Sequence, residues 1–84
     1  MRLGEIMSRA QHELVTTAAA FADGGEWRRE GATSAAHWIA EHLDVAVATA
    51  REWIRVGRAL RSFPIFDEAF ASRRLSYAKV RILT

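Results

Sequence analysis

The 84-residue sequence contains no cysteine, one proline and five glycines. Without cysteine it can form neither a disulfide nor a thiolate zinc or iron–sulfur site. The small number of turn-forming residues disfavours a sheet of many strands. Its longest uncharged stretch near the N-terminus, Leu14 to Ala22, is too short to cross a bilayer. Charged residues within the first 14 positions also break up any secretion signal, so the sequence predicts a cytoplasmic chain with no membrane partner.

Half of the residues are apolar and 26% are charged, which is the composition of a globular protein. A chain of this length forms one domain, and its many alanines favour helices. We therefore predict a single helical domain over residues 1–84, an all-α, compact bundle of about five helices.

Apolar spacing of three and four residues predicts five helices. They cover approximately residues 3–22, 34–43, 47–61, 64–72 and 77 to the end. Thr33 or Ser34 is the expected N-cap of the second helix and Ser76 that of the last, and Glu26–Gly31 is expected to be a polar loop. Trp27, in that loop, is expected to fold onto the core, although stacking on a base or ligand stays open. The expected core residues are Trp38, Ile39, Leu43, Val45, Trp53, Val56, Leu60, Phe66 and Phe70.

Residues 35–61 have the pattern of a helix-turn-helix unit. Small or apolar residues recur at Ala40, Val45, Ala50 and Trp53, with Asp44 at the turn position where glycine is usual. Aspartate tolerates the left-handed backbone conformation better than most residues, so the unit remains compatible with this sequence. The start of its second helix, Ala46-Val47-Ala48, has no polar side chains to contact base edges, which favours contact with the DNA backbone.

Four arginines lie on one face of the second helix of this unit: Arg51, Arg55, Arg58 and Arg61. Residues 51–84 carry a net charge of +5, against −3 for residues 1–50. Because guanidinium groups can pair with phosphate oxygens, these four are the predicted nucleic-acid-binding residues. A solvated or protein-facing surface is the alternative. Thr49, Trp53, Val56 and Leu60 are expected on the opposite, core-facing side, while Ile54 falls inside the arginine arc and is unexplained.

Nothing in the sequence assembles a catalytic or metal site. His12, His37 and His42 include no pair at helical ligand spacing, and no glycine-rich phosphate loop is present. We therefore expect no enzyme activity, no cofactor, no metal and no small-molecule substrate.

From Trp27 to Thr84 the sequence resembles the actinobacterial domain of unknown function 222 of the thirteen-E-twelve repeat proteins. The resemblance rests on the segments Ser34–Ala40 and Thr49–Leu60 and above all on the final run, Leu75-Ser76-Tyr77-Ala78-Lys79-Val80-Arg81-Ile82-Leu83-Thr84. It implies the N-terminal fragment of a longer family domain that usually precedes an HNH endonuclease domain. The apolar period is still running at Thr84, which also favours a truncated chain.

Two functions follow as hypotheses. The first is a non-catalytic, DNA-binding accessory module of an HNH nuclease-associated protein, acting through backbone contacts to duplex DNA. The second is a protein-partner or self-association module with no nucleic-acid role. In the second hypothesis Val47, Ile54 and the last helix would supply exposed apolar contacts.

Overall fold

Six helices make up the fold in the computed structural model, which describes residues 3–72 and 74–84 apart from the side chains of residues 4 and 5. They are α1 (Leu3–Gly24), α2 (Glu26–Arg29), α3 (Ala35–Leu43), α4 (Val47–Ser62), α5 (Pro64–Ala71) and α6 (Tyr77–Leu83). The part of the chain covered by these ranges contains no strand. The predicted all-α bundle is therefore confirmed.

Local chemistry explains most of the helix ends. Gly25 has a φ of 74°, a left-handed conformation that ends α1 and that glycine adopts at little cost. The Ser34 hydroxyl accepts a hydrogen bond from the amide of His37 at 3.1 Å, and the Ser76 hydroxyl accepts one from Lys79 at 3.3 Å. Ser34 is thus the N-cap of α3 in place of the alternative Thr33, and the predicted N-cap Ser76 is confirmed. Pro64 begins α5, where its missing amide hydrogen costs nothing.

The segment predicted as a polar loop, Glu26–Gly31, is partly helical. Its first four residues form the single-turn helix α2, stabilised by packing of Trp27 against the core. The Trp27 indole nitrogen donates a hydrogen bond to the carbonyl oxygen of Ala22 at 3.1 Å, which ties α2 to the end of α1. Trp27 therefore folds onto the core as expected and is half-buried.

Helix α4 lies between two apolar clusters. One cluster joins α1, α3 and α4 and consists of Ala18, Ala35, Ala36, Ile39, Ala40, Ala50 and Ile54. The other joins α1, α4, α5 and α6 and consists of Val15, Val56, Leu60, Phe70 and Val80. Trp53 packs against both clusters. Because both clusters contact α4, a wide arc of its circumference is apolar and buried, whereas its four arginines are exposed.

Several residues differ in burial from the sequence prediction. Ile39, Val56, Leu60 and Phe70 are buried as predicted, whereas Trp38, Val45, Trp53 and Phe66 are only half-buried. Leu43 was wrongly assigned to the core: its side chain is 52% exposed at the end of α3. Thr49 was wrongly assigned to the core-facing side of α4 and is exposed.

The α1–α4 crossing depends on small residues. Gly57 of α4 is buried against the Val15 backbone and the Ala19 methyl group of α1. A Cβ atom at position 57 would overlap the Val15 carbonyl oxygen and lie 2.8 Å from the Ala19 Cβ. The crossing therefore requires glycine, and it determines how close the end of α1 comes to the exposed face of α4.

Within the described residues, no helix combines the length and the apolar composition that crossing a bilayer requires.

Candidate nucleic-acid interface

The four arginines predicted from the sequence are all exposed on α4. Their side chains extend from the side of α4 that faces away from the core, because α1 and α3 pack against its other sides. Arg55, Arg58 and Arg61 are 43%, 53% and 49% exposed. Guanidinium groups at this level of exposure can exchange an internal partner for an external one.

Asp23, in the last turn of α1, holds two of these arginines. Its carboxylate accepts a hydrogen bond from Nη2 of Arg58 at 2.9 Å and another from Nη1 of Arg61. The hydrogen bonds from Arg61 and Arg58 lower the pKa of Asp23 below its ordinary value of 3.8. The residue is therefore ionised at neutral pH and occupies a position that an external phosphate oxygen could take.

Glu52 holds a second pair. It accepts hydrogen bonds from Nε and Nη2 of Arg55 at 3.1 and 2.5 Å, and one from Nε of Arg81 on α6 at 3.3 Å. The Arg55 hydrogen bond lowers the pKa of Glu52, and the same contact raises the pKa of Arg55. Arg55 also donates to the Arg81 carbonyl oxygen at 3.2 Å, so this cluster connects α4 to α6.

The resulting surface combines five arginines with two carboxylates and carries a net charge of +3. We call it the arginine face; it consists of Arg51, Arg55, Arg58, Arg61 and Arg81 with Asp23 and Glu52. The sequence did not single out Arg81, Asp23 or Glu52. Arg81 and Asp23 lie far along the chain from their partners, whereas the spacing of three residues between Glu52 and Arg55 on α4 is a local signal that predicts their ion pair. Among the described residues, no carboxylate lies within ion-pair distance of Arg51.

A groove of about 430 Å³ runs along one side of the arginine face. Arg51, Arg55 and Arg58 line it from α4, and Ser34, Ala35 and Ala36 line it from the start of α3. Apolar contact is supplied by Trp27, Ala22 and Ile54. The Arg28 guanidinium lies 4.9 Å from the centre of the Trp27 ring. The groove thus places cationic groups beside an apolar surface.

Ile54 was unexplained on the sequence because it falls within the arginine arc. The structure buries it, with 7% of its surface exposed, in the cluster shared with α1 and α3. Ile54 therefore packs in the core beneath the arginine face and is not an exposed apolar contact. Val47, the other α4 residue expected to be exposed, is half-buried against the same cluster.

The connection between α3 and α4 is a three-residue turn. Asp44 adopts the left-handed conformation expected of it, with a φ of 55°, and the amide of Val45 donates to the Ala40 carbonyl oxygen at 3.1 Å. Ala40 and Ala50 are buried on either side of this turn. The first exposed turn of α4 presents Ala48 and Thr49, and the arginines begin one turn later.

The three histidines lie in separate structural contacts. Nε2 of His12 lies 2.7 Å from Oδ1 of Asp67, which links α1 to α5. His37 contacts the Ser34 hydroxyl, and His42 stacks on Trp38 with ring centres 3.8 Å apart. The described residues place no group of three or more histidines and carboxylates where it could hold a metal ion.

Comparison with protein-family models, with curated proteins and with solved structures gave no match to this chain.

Proposed function

We propose that this chain is a non-catalytic helical module that binds the phosphate backbone of DNA through the arginine face. The single observation that carries the proposal is the grouping, among the residues that the structure describes, of five arginines with two carboxylates, Asp23 and Glu52, on one surface. Phosphate contacts of this kind depend on charge and do not read sequence. The affinity should therefore be modest, with a Kd of about 10⁻⁴–10⁻⁶ M at physiological salt, and nearly independent of DNA sequence.

Two further parts of the proposal rest on the α3–α4 connection and on the sequence resemblance. The turn geometry and the buried Ala40 and Ala50 are compatible with a helix-turn-helix unit formed by α3 and α4. The resemblance to domain 222 supports a role as the accessory module of an HNH endonuclease. In that role the module would hold DNA nonspecifically while the nuclease supplies the chemistry.

The arginine face can be tested by measuring duplex DNA binding as a function of salt. Changing Arg51, Arg55 and Arg58 to glutamine removes three positive charges and preserves helix propensity. Each lost phosphate contact should reduce the slope of log affinity against log salt by about 0.9, so the triple variant should lose about 2.7.

A matched control removes the same charge elsewhere. Arg9, Arg74 and Lys79 are exposed and do not line the groove, so their joint change to glutamine should leave most of the salt slope intact. Circular dichroism of both variants checks that the helices persist. An unchanged slope in a folded Arg51/Arg55/Arg58 variant would contradict the proposal.

A second function, docking to a protein partner or to another copy, is favoured by a different observation. Large apolar side chains are exposed on α1, α5 and α6, among them Ile65 at 80% and Ile82 at 85%. Ile54 and Val47 no longer support this alternative, because the core covers them. Sedimentation over a range of concentrations distinguishes the two: concentration-dependent dimerisation that DNA does not alter would favour association.

A further inference from the structure

The groove beside the arginine face has more apolar surface than phosphate contact requires. A duplex presents phosphates and sugars outward and keeps the faces of its bases stacked inside, so it would offer Trp27 and Ala22 no base face to contact. A ligand that fits the whole groove carries an anionic group and, within a few ångströms of it, a flat apolar group. An unstacked nucleotide has both of these features.

The two sides of the groove are arranged to receive these groups separately. Arg51, Arg55 and Arg58 lie along one side, and Arg51 has no ion-pair partner among the carboxylates that the structure describes. Trp27 is held in place by its hydrogen bond to the Ala22 carbonyl, so its ring is oriented before any ligand arrives. At about 430 Å³ the groove is within the range of sites that hold small ligands.

We propose that this groove holds one unstacked nucleotide of a single-stranded nucleic acid. The arginines bind its flanking phosphates, and the base lies against Trp27 and Ala22, where it displaces the exposed Arg28 side chain from the Trp27 ring. This inference rests on the proposed function, since the same arginines supply the phosphate contacts. It adds a preference that the arginine face alone would not give: single strands, or locally opened duplexes, bind more tightly than closed duplexes.

The direct test compares three probes that carry equal numbers of phosphates: an oligothymidylate, an abasic strand of the same length, and a short closed duplex. Fluorescence anisotropy with the unaltered chain measures each affinity. The oligothymidylate should bind about tenfold or more tightly than the abasic strand, which is the effect expected from stacking one base on an aromatic ring. An oligouridylate of the same length shows whether RNA satisfies the same groove.

A variant locates the effect. Trp27→Leu should reduce oligothymidylate affinity to the level of the abasic strand and leave abasic and duplex binding unchanged. Trp38→Leu is the matched control, because Trp38 is half-buried outside the groove. If the Trp27 variant does not fold, the comparison of the three probes with the unaltered chain still decides the matter.

The two proposals fail in different ways. Equal affinity for the oligothymidylate and the abasic strand, or tighter binding of the closed duplex, would overturn the groove assignment and leave phosphate binding intact. Equal salt slopes for the Arg51/Arg55/Arg58 variant and its control would instead overturn the proposed function itself.

Discussion

Gly57 shows how one side chain determines the spacing of the bundle. A methyl group at this position would meet the Val15 carbonyl oxygen and the Ala19 methyl group of α1. Overpacking of this kind costs about 1–3 kcal/mol, whereas alanine gains only about 1 kcal/mol over glycine in helix propensity. Gly57→Ala should therefore lower the melting temperature, by about 4–8 °C for each kcal/mol lost.

Gly24 supplies the matched control for this substitution. It is also helical, but a Cβ atom there would meet only the Glu26 side chain, at 3.9 Å. Gly24→Ala should leave the melting temperature unchanged or raise it slightly. Thermal denaturation followed by circular dichroism measures both variants. Equal melting temperatures for Gly57→Ala and Gly24→Ala would mean that α1 and α4 do not approach each other closely at Gly57.

Single residues also show where sequence patterns fail. The prediction for α4 assumed that one side of the helix is buried. Because α1 and α3 contact different sides of it, the buried arc is wider and includes Ile54. Leu43 fits the apolar pattern of α3 but is the last residue of that helix and is exposed. Periodicity predicts which face of a helix a side chain lies on, but it does not predict how many other helices pack against that face.

At the scale of helices, the sequence predicted most of the bounds. Ser34, Ser76, Gly25 and Pro64 act at the termini of their helices through local hydrogen bonds or backbone geometry, so local rules suffice. Helix α2 was missed because a single turn has no apolar period, and it depends on the tertiary contact of Trp27 with α1. The ion pairs made by Asp23 and Arg81 were missed for the same reason, since they join residues 29 to 38 positions apart.

The contact between the end of α1 and α4 has a functional consequence under the proposed function. Asp23 occupies hydrogen-bond donors of Arg58 and Arg61 that a phosphate would need. Asp23→Asn removes this competing charge, so the affinity for duplex DNA should rise several-fold at low salt, with a steeper salt dependence. Fluorescence anisotropy at several salt concentrations measures both quantities.

Asp67→Asn controls for the change in net charge. It removes one carboxylate from the His12 contact, on α5 and outside the arginine face. This variant should bind DNA only slightly more tightly than the unaltered chain, because the added charge is far from the proposed contacts. Equal gains in the two variants would mean that net charge alone governs binding and that Asp23 does not compete for the arginines.

At the scale of the whole molecule, folding brings most of the excess positive charge of the C-terminal part of the sequence to one surface. The +5 balance of residues 51–84 is concentrated by α4 and by Arg81 of α6, and the acidic first half contributes Asp23 at its edge. The sequence predicted which four α4 residues would form this surface because helical geometry places them together. It could not predict the groove, which exists only where α2 and the start of α3 approach α4.

The central claim is that the arginines of α4 contact phosphates. Nuclear magnetic resonance of the arginine Nε–Hε groups during titration with a short duplex tests it directly, since each guanidinium reports its own contacts. We expect shifts concentrated at Arg51, Arg55, Arg58 and Arg61, reversed by added salt, with little change at Arg9. Shifts that are absent at saturating DNA, or that are largest at Arg9 and Arg74, would contradict the account.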